Sequence, residues 1–438
     1  MADIRPFRAL RYDAAVAGEA SKLIAPPYDV VSEAERPALY ARSEFNVSRV
    51  DYGAEGTSDT ATDNRYTRAG RDLDEWRRRG VLVRDPQPRL YVYDQEFEHA
   101  GERRRRRAVF GRLRLEEWEK GIVLPHEATG AVAKADRLRL LQATRVHLSP
   151  ILALYRADGV AAVKDASLGA LLLDAKLPGE RHTLRPLAPA AAEAFARSLA
   201  GAKLYVADGH HRYETALAYR DERRAAARRW TGEEPENFIL AALVSTADPG
   251  LVVLPTHRLA RLPHRPQRGL RRLLATFSLE DAGVANAANI ERLVRQLAEA
   301  GRQGPAFGVV GLEPGRLHLL APRNFDLLLS RLADAPPALA RLDVTILQRA
   351  VFPALDFEEA SGSIDYTEDH RLAAEAVAAG VWDVAFLLNP TPVDQVIAVA
   401  DAGQRMPRKS TFFYPKLATG LVLNPLDLVN AERPAQTP

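Results

Sequence analysis

The residues Lys203-Leu204-Tyr205-Val206 run directly into Ala207-Asp208-Gly209-His210-His211-Arg212-Tyr213-Glu214-Thr215-Ala216. The first four read as a short buried strand, and Ala216 to Arg220 reads as helix. A strand that passes through one glycine into a helix constrains the fold strongly. It is a building unit of α/β proteins and a ready-made place for a phosphate. Glycine lets the backbone approach closely, and the first helical N–H groups point at the anion. His210, His211 and Arg212 add donors there. The competing account is a loop whose His and Arg simply pair with Asp208 and Glu214.

The rest of the chain fits an α/β protein with mixed sheets. At 438 residues it exceeds one small domain. A compositional shift near Leu262 to Pro266 suggests an N-terminal α/β region, 1–260, with the Asp208–Arg212 loop. A C-terminal α/β region, 261–430, follows, and then a tail, 431–438, expected to be disordered. Ser32, followed by Glu33 and Glu35, is expected to cap a helix. Residues 62 to 80 read as an amphipathic helix, and about 134 to 144 as a helical stretch. Leu90 to Phe97 and Arg107 to Leu115 read as strands joined at Ala100-Gly101. The run Arg103 to Arg107 between them alternates between the two faces of the hairpin, and is expected to be solvated and salt-bridged, partly neutralised by Glu96, Glu98 and Glu102, rather than a nucleic-acid contact. Leu148 to Tyr155 reads as a buried strand.

Composition removes whole classes of function. The net charge is only +3, which gives no global case for nucleic acid. There is no cysteine, so disulfides and thiolate chemistry are excluded. No apolar run is long enough for a bilayer, and Met1 to Arg5 lacks the apolar core of a signal peptide, so a cytoplasmic location is expected. Only eight of the 60 basic residues are lysine. In such a background, a lysine hints at a place that needs a compact ammonium.

Three further clusters could carry chemistry. Pro125-His126-Glu127-Ala128-Thr129 starts like a zincin helix, but position 130 is glycine, so the second histidine is missing and zinc-protease chemistry is rejected. His126 and Glu127 still suit general-base work, with Thr129, Lys134 and Arg137 close by as substrate-binding candidates. Lys409-Ser410-Thr411 resembles the end of a P-loop without its glycines, and Lys416 follows, so these four are candidate phosphate ligands. His257 and Arg258 follow an apolar strand, where ligands tend to bind. Asp29, held in Ala25-Pro26-Pro27-Tyr28-Asp29-Val30, is a second candidate base, with Tyr28 beside it as a substrate contact.

These motifs, in this order, resemble a broad prokaryotic family of unknown function, over residues 3 to about 425. The loop Asp208-Gly209-His210-His211-Arg212 is itself similar to the phosphate loop of the ParB and sulfiredoxin superfamily, which includes free serine kinases. That resemblance implies a ParB-like nucleotide-binding core and a kinase using ATP and Mg²⁺, the metal held at Asp208. The partners implied are a nucleotide and a small hydroxylated metabolite, with free L-serine the first choice. Sulfiredoxin's own activity is excluded, since its cysteine has no counterpart. Phosphoryl transfer needs mainly positioning and charge neutralisation, which suits loops rich in Arg, Lys and His. The alternatives are a nucleotide hydrolase or NTP-dependent switch, and a ParB-like DNA-binding regulator.

Overall fold

The computed structural model describes residues 1–156, 158–262, 267–360 and 362–427; the expected tail at 431–438 lies outside them. The chain forms two compact units. The first comprises Met1–Leu124, Thr129–Leu251 and the segment from Pro415 onward; the second comprises Pro125–Ala128 and Val252–Tyr414. Sequence reading assumes contiguous regions and places its boundary at 260. The observed units interleave, and the chain returns to the first unit at Pro415, between Lys409 and Lys416.

The first unit is built on a nine-stranded mixed sheet among the described residues. Its strands are β1 (Ile4–Arg5), β2 (Tyr91–His99), β3 (Glu102–Arg114), β4 (Val123–Pro125), β5 (Ile151–Tyr155), β6 (Leu173–Leu177), β7 (Glu180–Pro186), β8 (Leu204–Asp208) and β9 (Phe238–Ser245). They lie in the order β4-β8-β5-β9-β3-β2-β7-β6, with β1 beside β3. β9 runs parallel to β5, whereas β8–β5, β9–β3, β3–β2, β2–β7 and β7–β6 are antiparallel. β2 and β3 form a hairpin closed by Ala100 and Gly101 at φ +53° and +77°. Two consecutive positive φ values match the right-handed twist of the strands.

Four helices matter for the site: α1 (Arg65–Arg78), α2 (Ala131–Thr144), α3 (Pro189–Leu199) and α4 (His210–Ala226). α1 opens on a capping box in which Asn64 and Thr67 satisfy each other's backbone N–H groups. Its Ala69, Leu73 and Trp76 join a core with Leu140 of α2, Leu10 and Leu423. α3 and α4 bury Phe195, Leu199, Tyr213, Ala216 and Leu217 against Ile151, Val206, Ile239 and Leu243 of the sheet. The helix expected from Ser32 begins only at Arg36. Pro37 belongs in a first turn, where its missing N–H costs nothing, so Ser32 and Glu35 instead bond each other in the turn ahead of it. The strand expected from Leu148 is hydrogen-bonded only from Ile151, after Pro150, which has no N–H to give.

The second unit holds a six-stranded, antiparallel sheet among the described residues. β10 (His257–Ala260), β11 (Phe277–Val284), β12 (Phe307–Val310), β13 (Arg316–Pro322), β14 (Ile364–Thr367) and β15 (Val384–Leu387) lie in the order β11-β13-β12-β15-β10-β14. Helices α5 (Ala287–Gly301) and α6 (His370–Ala378) pack Leu293, Leu297, Ala373 and Ala374 on Val310, Leu317, Ala385 and Leu387. No described helix is long and apolar enough to cross a membrane.

Candidate functional site

Asp208 is the last residue of β8, Gly209 the N-cap of α4, and His210 its first helical residue. The helix therefore starts six residues before the Ala216 of the sequence reading, and His210, His211 and Arg212 occupy its first turn. Gly209 sits at φ +89°, a left-handed conformation that L side chains avoid. A Cβ there would also stand 3.0 Å from the Arg212 Nε and from Ile151. Glycine is thus required twice, by the turn and by the guanidinium packed against it.

Two cations hold the Asp208 carboxylate. Arg212 donates to Oδ2 at 2.5 Å, and the Lys416 ammonium donates to Oδ1. Arg212 also donates to the Pro150 carbonyl. Burial pushes the Asp208 carboxyl up, yet Lys416 and Arg212 overcome it and hold the group well below the usual carboxylate range. Burial opposes the charge on Lys416 and Arg212 as well; Asp208 first and Asp29 next keep both more basic than usual. Asp29 is exposed in the turn after Pro27. Tyr28 lies under the Arg137 guanidinium, 3.9 Å from ring centroid to Cζ, and burial raises its phenol. Arg137 in turn donates to the carboxylates of Asp136 and buried Asp51. Beside Arg212 a cavity of about 50 Å³ is lined by Asp51, Arg137, His147, Ser149 and Thr215. It is large enough for a water, not for a metabolite.

Other candidates of the first unit are engaged in fixing the loop ahead of α2. Glu214 accepts from Thr129 Oγ1 at 2.6 Å and from Lys134 Nζ at 3.0 Å, and His211 Nε2 accepts from the Gly130 N–H at 2.9 Å. The competing account of the sequence therefore describes part of the arrangement: Arg212 does pair with Asp208. Both Asp208 oxygens accept from cations, so the Mg²⁺ expected there does not fit, and no chemistry is routed through it. Among the described residues, no group of three or more His, Asp or Glu side chains is placed to hold a metal ion.

The remaining candidates gather in the second unit. His126 is fully buried, 3.0 Å from Thr411 Oγ1 and edge-on to Phe413. Met406 forms an isolated parallel bridge with Glu127. Ser410 donates to the Pro407 carbonyl, and Lys409 adopts φ +57° with its carbonyl accepting from Arg258 at 2.9 Å. Burial brings the Arg258 guanidinium down to about 10 and the His257 imidazole to about 3. His257 Nδ1 accepts from the Leu388 N–H. His126, Thr411 and Ser410 are thus bonded within this unit.

Sequence reasoning missed Arg106 and Gln95. Arg106 is 1% exposed and donates to Gln95 Oε1 and to the Pro415 carbonyl. Among its neighbours, Arg104 pairs with Glu102 and Arg103 with Glu96, as expected, whereas Arg107 pairs with Asp94. Strand parity carried the signal, because position 106 shares a face with buried Ala108 and Phe110.

Residues 4–345 match the family described as "Protein of unknown function (DUF1015)". The chain belongs to the DUF1015 family. No curated protein matches this DUF1015 chain in sequence. Among solved structures, it is similar to a free serine kinase in complex with AMP, at 15% identity and TM-score 0.34, covering 70% of this chain and 86% of that one. A conserved hypothetical protein from Pyrococcus furiosus is similar at 13% identity and TM-score 0.32, covering 70% and 93%. SbnI with a C-terminal truncation, from Staphylococcus aureus, is similar at 10% identity and TM-score 0.30, covering 72% and 87%.

Proposed function

We propose that the first unit of this DUF1015 protein binds the phosphates of a nucleotide and transfers a phosphoryl group to the hydroxyl of a small metabolite, with free L-serine the first acceptor to test. The observation that carries this reading is the pairing of one carboxylate, Asp208, with two cations, Arg212 and Lys416, at the glycine-led start of α4. Two cations on one carboxylate leave a net positive charge where the helix already favours an anion. The similarity of Asp208-Gly209-His210-His211-Arg212 to a known phosphate loop supports the same assignment. His210, His211, Arg212 and Lys416 are the proposed phosphate contacts, and Asp29 is the proposed base. Asp29 is exposed and interacts electrostatically with both Arg212 and Lys416. Tyr28, its neighbour in the chain, and Arg137, stacked over the Tyr28 ring, are the proposed acceptor contacts. Glu127, His126, Lys409, Ser410, Thr411, His257 and Arg258 belong to the second unit, and the reading does not depend on them.

The test is phosphoserine formation from serine with ATP, run beside ADP and pyrophosphate as donors. Arg212→Ala is expected to weaken ATP binding by about tenfold or more, roughly 1.4 kcal/mol for a charge-assisted contact. Asp29→Asn is expected to keep ATP binding and lose turnover, because the amide retains the shape and removes the base. ATP binding without phosphoserine from any donor would reject the serine assignment, and release of inorganic phosphate in that case would make the protein a hydrolase. Unchanged ATP affinity in folded Arg212→Ala would reject the phosphate site itself.

A further inference from the structure

Three buried polar residues form a row across the first unit's sheet. Arg106 on β3 is the direct register partner of Gln95 on β2, and Gln95 that of His182 on β7. All three are at most 1% exposed. Placing an arginine at a core-facing position is costly, and an apolar residue would satisfy the strand pattern better. The contacts show what the polar groups hold. Arg106 donates to the carbonyl of Pro415. Gln95 Nε2 donates to the carbonyl of Lys416 at 3.0 Å and to Glu180 Oε2 at 2.6 Å. Gln95 also accepts from Arg106, so the two side chains form one connected network.

This network grips the main chain at the residue where it returns to the first unit. Pro415 has no N–H, so its carbonyl is the one backbone group that can be anchored there. Downstream, Thr419 is held by reciprocal backbone bonds to Ala25, and Leu423 by bonds to Leu10. Between these anchors only the side chain of Lys416 turns to Asp208. We propose that Arg106 and Gln95 are positioning residues that fix the Pro415–Lys416 backbone so that the Lys416 ammonium is delivered to Asp208. The inference deepens the phosphate-site reading, on which its functional meaning rests, but its geometry can be tested without any ligand.

The protein has only eight lysines, so acylation by an N-hydroxysuccinimide ester, read by peptide mass spectrometry, resolves each one. In the full-length wild type, Lys416 is expected to react slowly. Arg106→Met is expected to raise its labelling by about tenfold, the factor that a one-unit fall in an amine's pKa gives to its reactive fraction, while Lys120, Lys134 and Lys203 stay unchanged. Arg106→Lys, which keeps a donor, is expected to restore much of the protection. Gln95→Leu carries the same test should Arg106→Met fail to fold. Unchanged Lys416 labelling in a folded variant, or an equal rise at every lysine, overturns the proposal; the latter marks a merely structural role. Failure of the wild type to bind ATP would reject the phosphate reading and leave the labelling result standing.

Discussion

Gly209 shapes the turn beside the ion cluster, and Lys416 supplies one of its two cations. Gly209→Ala forces an L residue into the left-handed region and presses a methyl group on Arg212. The expected loss is about 1–2 kcal/mol from the backbone alone, read by urea unfolding; an undiminished midpoint would show that the turn can reshape. Lys416→Met removes one of the two cations that keep Asp208 ionised. Because the folded-state pKa of Asp208 is depressed, its stabilisation is complete above the unfolded value near 4 and is lost as pH falls below that. Lys416→Met should therefore be less stable than wild type at neutral pH, with a difference that shrinks as pH falls below about 4, where the unfolded chain protonates Asp208 while the folded wild type still holds it ionised. Melting curves from pH 7 to 2.5 check the sign, and a difference that grows on acidification would contradict it. The sequence identified Asp208, Gly209 and Arg212 as a group because they are neighbours in the chain. Lys416 is a candidate phosphate ligand from its basic, hydroxyl-rich segment and from the rarity of lysine, but nothing local says which carboxylate it meets.

At the scale of elements, the hairpin of β2 and β3 shows how far a local pattern reaches. Ala100-Gly101 is readable as the joint, and the strands run up to it on both sides, ending at His99 and resuming at Glu102. Alanine at φ +53° is strained, whereas asparagine tolerates that conformation better. Ala100→Asn is expected to raise stability by about 0.5–1 kcal/mol, read as a higher melting temperature; a lower one would mean that the turn changes type. The basic run on β3 is expected from the sequence to alternate between the faces of a solvated, salt-bridged hairpin. The pleat divides it, sending Arg103 and Arg105 outward and Arg106 inward. Alternation was legible, but the acceptors that make a buried arginine tolerable lie at Gln95 and Pro415, and Pro415 is remote in the chain. The helix expected after Ser32 starts later for a different reason: Ser32 and Glu35 bond each other in a turn, and Pro37 sits in the first turn of the helix that begins at Arg36.

Across the whole molecule, several buried histidines link stability to pH. Burial lowers His147 and His182 of the first unit to about 4. Unfolded histidine titrates near 6.5, so between these values the unfolded chain binds more protons and stability falls as pH drops. Each histidine contributes a slope of up to about 1.4 kcal/mol per pH unit. His182→Gln is expected to flatten the first unit's stability between pH 6.5 and 4 by about one histidine's share, measured by hydrogen exchange of amides in β2 and β7; an unaltered slope would show that His182 is not held neutral. By itself the sequence determined the α/β character, the strand–glycine–helix at Asp208 to Arg212, the rigid turn at Pro26-Pro27 and the hairpin at Ala100-Gly101. Each of these follows from periodicity or from the backbone limits of Gly and Pro, which act over a few residues. Only the tertiary structure decided that Lys416 meets Asp208, that Arg106 is buried beneath Pro415, and that Lys409 and Lys416 fall in different units. Those outcomes depend on strand order and on a chain that leaves the first unit and comes back, and no local preference encodes either.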